Sequence, residues 1–180
     1  KARVVVTSRQ QPGSVFVPIH FSERFSNSGR VDALVHSKTD KYSGQPASKS
    51  TAISVSKFEA TWFGFTVMAA DVFESVTLPE PAAYWAKVRT ENGIRAELAG
   101  MDIPASWEEY FKSLLNDPED VEVIQMLSPG GARARFAAFR ENRLIGLLFV
   151  ADHPVAVSRA WACEQLLTSP AHTARHRLLA

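Results

Sequence analysis

Between Ser43 and Lys49 the sequence reads "SGQPASK", placing Ser43, Gln45, Ser48 and Lys49 on one glycine-bearing loop. Hydroxyl, amide and ammonium groups in that grouping can hydrogen-bond a phosphate or the edge of a heterocycle. Lysine supplies a compact charge, and the neutral donors supply direction. Composition alone also fits a solvated loop with no ligand. A second candidate is His20, which follows the short apolar run "VFVPI" and could face a ligand or simply end a strand. His172 and His176 lie four apart, so on an α-helix they would share a face and could hold a metal. No third ligand accompanies them, and an exposed helix face is the favoured reading. His36 and His153 fall in polar segments and carry no signal. Cys163 sits between Trp161 and Leu166 on an expected amphipathic helix and reads as an inert thiol. The pairs Glu108–Glu109 and Glu119–Asp120 read as capping and solvation charge. The chain lacks the patterns of the nucleophile elbow, the zinc protease helix, the dinucleotide fold and the phosphate loop.

The elements that must position these groups divide near residue 58. Before it, Val4–Thr7 and Val15–Pro18 read as strands around the turn "RQQPG". Then come a polar stretch "SERFSNSGR", a short apolar element "VDALV", and a long polar loop that re-enters the core at "AISVSKF". A loop of that length within a compact domain is often functional. After residue 58, "TWFGFTVMA", "IRAEL" and "VEVIQML" read as strands. "GARARFAAFRENRLIGLLFVAD" reads as a hairpin turning at "ENR". "PEPAAYWAKVRTENG" is expected to be a helix, with Pro81 in its first turn and Gly93 at its cap. "SWEEYFKSLL" is the clearest helix, because Ser106 and Glu109 form a capping box. "SRAWACEQLLTSP" and "AHTARHRLL" close the chain as helices.

Composition sets outer limits. The chain has 180 residues, 46% hydrophobic and 22% charged, with a net charge of +1, which is a globular composition. There is no basic block of the kind that marks a nucleic-acid surface. No apolar run approaches the ~18 residues that span a bilayer, so no membrane partner is expected. A single cysteine excludes an internal disulfide and suits a reducing compartment, hence a cytoplasmic location. Both ends are abrupt: Lys1 leads straight into a strand pattern, and Ala180 ends a helical one. The expectation is a piece of a longer protein.

The segments "RQQPGSVFVPIHF", "VDALV" and "TDKYSGQPASKSTAISV" resemble, in order and spacing, the C-terminal cofactor-binding domain of molybdenum-bis(molybdopterin guanine dinucleotide) oxidoreductases. The likeness is greatest to the assimilatory nitrate reductase catalytic subunits. "WFGF", "YWAKV", "ELAG", "RFAAFRENRLIGLLFVADHP" and "SRAWA" resemble, more loosely, the region that follows this domain in bacterial enzymes. The resemblance implies an α+β chain. Residues 1–57 would form part of a double-psi-like β-barrel, and residues 58–180 an accessory α+β domain with an antiparallel sheet. It implies that Pro18, Ile19 and His20 approach the pterin where a strand ends. Asp32 would take the place of a cofactor-bonding Asn, and Lys49 would close a loop lined by Ser43 and Gln45. It implies no catalytic residue and no metal ligand in this chain. The parent protein would reduce nitrate to nitrite, and its iron–sulfur cluster would lie outside these residues. Its partners would be the rest of the catalytic subunit and an electron-donor reductase, ferredoxin or flavodoxin.

The chain departs from the family pattern at Asp32, at Phe21 in place of a frequent Trp, and at Lys41–Tyr42. An ionised Asp32 only accepts hydrogen bonds. A rival reading, from a different class, makes the second part a non-enzymatic docking or dimerisation domain that contacts a redox partner.

Overall fold

The computed structural model describes residues 1–18, 22–27, 29–46, 51–72, 78–115, 118–129 and 132–180. It forms two compact units, Lys1–Phe58 and Glu59–Ala180.

The second unit is built on a six-stranded antiparallel sheet. Its strands are β1 (Trp62–Ala69), β2 (Tyr84–Arg89), β3 (Gly93–Gly100), β4 (Glu122–Leu127), β5 (Arg133–Arg140) and β6 (Arg143–Ala151). They lie in the order β2-β3-β1-β6-β5-β4. The central strands carry nearly continuous apolar runs because both sheet faces are covered. One face gathers Trp62, Met68, Trp85, Leu98, Phe136 and Leu148 beneath helix α1 (Trp107–Ser113), which contributes Tyr110 and Phe111. The other gathers Phe65, Val67, Phe139, Leu147 and Phe149 beneath helix α2 (Arg159–Gln165) and a C-terminal 3-10 helix, His172–Leu179.

Alternation along β6 breaks once. Ala138 pairs with Gly146 and Phe139 with Leu144, so Ile145 is an extra residue in the ladder. The bulge shifts the phase of alternation, so Ile145 and Leu147, two residues apart, serve opposite faces.

Local chemistry accounts for the turns and caps. The Ser106 hydroxyl accepts from the Glu109 amide at 3.2 Å, as the capping box requires. Ser158 accepts from the Trp161 amide in the same way at 3.2 Å. The β5–β6 hairpin turns on two residues, Glu141 (φ 49°) and Asn142 (φ 67°). Two positive φ values in succession match the twist of the flanking strands.

One expectation fails. "YWAKVR" is strand β2, paired along its length with β3, and not a helix. Gly93 opens β3 where a helix cap was expected. A Cβ there would stand 1.9 Å from the Met68 carbonyl oxygen, so the residue answers a close strand approach. For residues 1–57, where a β-barrel was expected, the described residues give no barrel detail. The described residues of the first unit form no strand. They hold the isolated bridge Thr39–Pro46 and a further bridge residue at Ser26, and "DAL" is a 3-10 helix, Asp32–Leu34. Val4, Val5, Val6 and Phe16 have the residue types of strands yet are 73–93% exposed. A strand is defined by the neighbour it bonds, and these segments have none among the described residues. The polar "SERFSNSGR" stretch contains a tight turn. The amides of Phe25 and Ser26 both donate to the Ser22 carbonyl, and Ser26 is buried.

The structure is therefore mostly antiparallel sheet with few helices. No described helix is long and apolar enough to cross a membrane.

Candidate functional site

The donor-rich loop expected around Ser43 is built around a residue the sequence reading passed over, Asp40. Its Oδ1 accepts from the Tyr42 amide (3.0 Å), the Ser43 amide (2.7 Å) and the Ser43 hydroxyl (2.9 Å). The backbone closes behind it. The Gly44 amide donates to the Asp40 carbonyl at 3.0 Å, and the Asp40 amide to the Gln45 carbonyl at 2.8 Å. Gly44 takes φ +67°, a conformation that side chains resist and glycine does not. The bonds from Ser43 and then from Tyr42 hold the Asp40 carboxyl below its ordinary range, because each favours the ionised form. A sequence signal was present: an aspartate followed at three and four positions by Ser and Gly is a turn signature.

This geometry divides the expected ligands. The Ser43 hydroxyl donates to Asp40 and accepts from the Gln45 amide at 3.3 Å, so its role is to shape the loop. The Gln45 side chain is exposed, with no hydrogen-bond partner among the described residues. It presents one acceptor and two donor hydrogens on a rigid loop. Asp32 begins the 3-10 helix and is gripped by Arg30, with Nη2–Oδ2 at 2.7 Å and Nε–Oδ1 at 3.3 Å. That fork holds the Asp32 carboxyl below its ordinary range. The pair is neutral as a unit. Arg30 was missed in the sequence, where "RVD" gave the only hint. Past the loop, the Thr51 hydroxyl meets the Leu34 carbonyl at 3.4 Å, tying the returning chain to the 3-10 helix. Pro18 is exposed at the end of the unpaired "VFVP" run. Ile19, His20 and Lys49 lie outside the described residues.

The remaining candidates lose their chemistry. His172 and His176 stand on a 3-10 helix, where residues three apart align and residues four apart do not. His172 Nε2 lies 3.6 Å from Glu122, and no metal-competent cluster occurs among the described residues. Cys163 is half-buried and its thiol is pushed up by burial, which favours the unreactive form.

Three comparisons bear on this site. Residues 1–52 match the family model of a molydopterin dinucleotide binding domain. The chain is 30% identical over 180 residues to a nitrate reductase of Klebsiella oxytoca, covering 99% of this chain and 19% of that protein. No solved structure matches. The two matches relate the chain to the molybdopterin oxidoreductases, and the 19% means that it spans about a fifth of the relative it matches.

Proposed function

We propose that residues 1–52 grip a molybdopterin dinucleotide within a larger molybdenum-dependent oxidoreductase. One observation carries the reading: the segment matching the cofactor-domain family contains a loop whose donors are organised by a carboxylate, Asp40. The donor set suits the group. A pterin presents an amide-like edge of donors and acceptors, and the Gln45 amide offers both in return. A pyrophosphate needs positive or neutral surroundings, and the Arg30–Asp32 fork presents a guanidinium edge beside the 3-10 helix.

In this assignment Asp40 and Ser43 shape the loop, Gln45 faces the pterin, and Lys49 closes the loop with a charge for phosphate. Pro18, Ile19 and His20 bring the chain to the pterin, and Asp32 bonds the cofactor from its fork with Arg30. The cofactor, as the bis(molybdopterin guanine dinucleotide) form, supplies two-electron oxygen-atom transfer from nitrate. The residues of this chain orient it and break no bond themselves. The exposed strand types Val4–Val6 and Phe16 support a β-barrel completed by the rest of the catalytic subunit, since long apolar edges are a liability left uncovered. The assigned reaction is assimilatory and cytoplasmic. Its electrons come from a reductase, ferredoxin or flavodoxin through an iron–sulfur cluster outside these residues.

The test is nitrate-dependent oxidation of reduced viologen by the complete protein. Nitrite formed in proportion to viologen oxidised supports the assignment. A molybdenum-loaded protein that leaves nitrate untouched refutes nitrate as substrate.

A further inference from the structure

The second unit carries a cleft of about 490 Å³ that the cofactor reading does not use. Its walls come from the start of β5, the end of β6, the 152–158 loop, α2 and the C-terminal 3-10 helix. The floor is apolar, made by Phe149, Val155, Val157 and the half-buried Trp161. Three guanidiniums rim it, those of Arg133, Arg135 and Arg177. Arg135 is fixed by donating to the Leu179 carbonyl at 2.6 Å. Arg133 and Arg177 have no ion-pair partner within 4 Å among the described residues. Asp152, beside the end of β6, is engaged with His153 at 2.6 Å and feels the Arg133 charge from beyond ion-pair distance. The loop that forms one wall is pinned from behind. Arg159 Nη1 donates to the carbonyls of Val155 (2.5 Å) and Val157 (2.9 Å), so the wall stands without a ligand.

We infer that this cleft docks an acidic segment of a partner protein, with an apolar side chain seated on Trp161 between flanking carboxylates that meet Arg133 and Arg177. The inference rests on the second unit alone and is independent of the cofactor. Charge complementarity selects the occupant. The rim is cationic in a chain whose net charge is only +1, so the positive character is local. Exposed ion pairs are each weak, so a lone small anion gathers too little here. A segment bearing several carboxylates and one apolar anchor adds floor burial to rim attraction. Tryptophan and arginine, the types present, carry most of the energy at interfaces. Steering by the rim makes association sensitive to salt.

The test uses fluorescence anisotropy with a labelled peptide, acetyl-EEDELWEDEE-amide, titrated with the full chain in 50 mM and 300 mM NaCl. Saturable binding at low salt that weakens at high salt is expected. Arg133→Glu with Arg177→Glu should lower affinity about tenfold or more, with an unchanged circular dichroism spectrum. A peptide with Leu and Trp replaced by Gly should bind as weakly. Equal binding by the charge-reversed variant or by the Gly peptide overturns the proposal. So does absence of binding at low salt. Displacement by free glutamate or inorganic phosphate at matched carboxylate or phosphate concentration also overturns it, in favour of a small-anion site.

Discussion

Replacing Arg159 by alanine should loosen the second unit by about 3 kcal/mol. Arg159 meets Glu97 as a fork, Nε–Oε1 at 3.1 Å and Nη2–Oε2 at 3.0 Å, with side chains only 18% and 17% exposed. Breaking a buried pair from one side costs roughly 3–5 kcal/mol, because the remaining charge keeps its desolvation penalty. The residual exposure lets water reach Glu97, which reduces that to about 2–3 kcal/mol. The guanidinium also lies 4.1 Å from the Phe65 ring centroid, adding about 0.5–1 kcal/mol. The Val155 and Val157 carbonyls add little, since both residues are half-buried and can rehydrate. At about 2–4 °C per kcal/mol for a chain of this size, the melting temperature should fall by roughly 6–12 °C. Thermal unfolding followed by circular dichroism reads the shift. Glu97→Gln in the Arg159→Ala background should cost much less than it costs alone, because the fork is already gone. A fall below about 2 °C, or strictly additive costs, would show that the fork does not hold β3 to the 155–159 segment.

Gly93→Ala should cost about 3 kcal/mol in urea unfolding, since its Cβ would meet Met68 backbone at 1.9 Å. Gly146→Ala should stay within about 1 kcal/mol, because its Cβ finds ordinary contacts at 3.6 Å; equal costs at the two glycines would contradict the register. Tyr110→Phe should be neutral or stabilise by about 1 kcal/mol, as its buried hydroxyl has no partner among the described residues; a loss above 1 kcal/mol would reveal one. The Asp40 carboxyl should titrate below a free aspartate in NMR. Its folded value is depressed, so the ordering it gives the loop is complete above the unfolded value and fades as pH falls through the folded one. A midpoint at or above the free value would remove the loop's organiser.

The second unit was largely legible because its signals are local or repeated. The capping serine, the hairpin and the apolar runs of β1 and β6 each specify their own conformation. "PEPAAYWAKVRTENG" misled because Pro81 and Gly93 suit a helix, while the outcome was decided by pairing with β3 and by contact with Met68, both remote in sequence. In the first unit the residue types of strands were legible, but no strand forms among the described residues, since pairing depends on a neighbour that residue type cannot supply. The loop residues Ser43 and Gln45 were found, but not the division of labour between them. That division follows from Asp40, whose side chain acts on backbone two and three residues onward.

The most direct test of the cofactor assignment is the molybdenum and pterin content of the complete protein. Wild type would be compared with Gln45→Ala and with Asp40→Ala, after expression with molybdate beside a control molybdoenzyme. Stoichiometric metal and pterin in wild type, with both reduced in folded protein of either variant, is the predicted result. Wild type free of molybdenum and pterin, while the control is loaded, would contradict it.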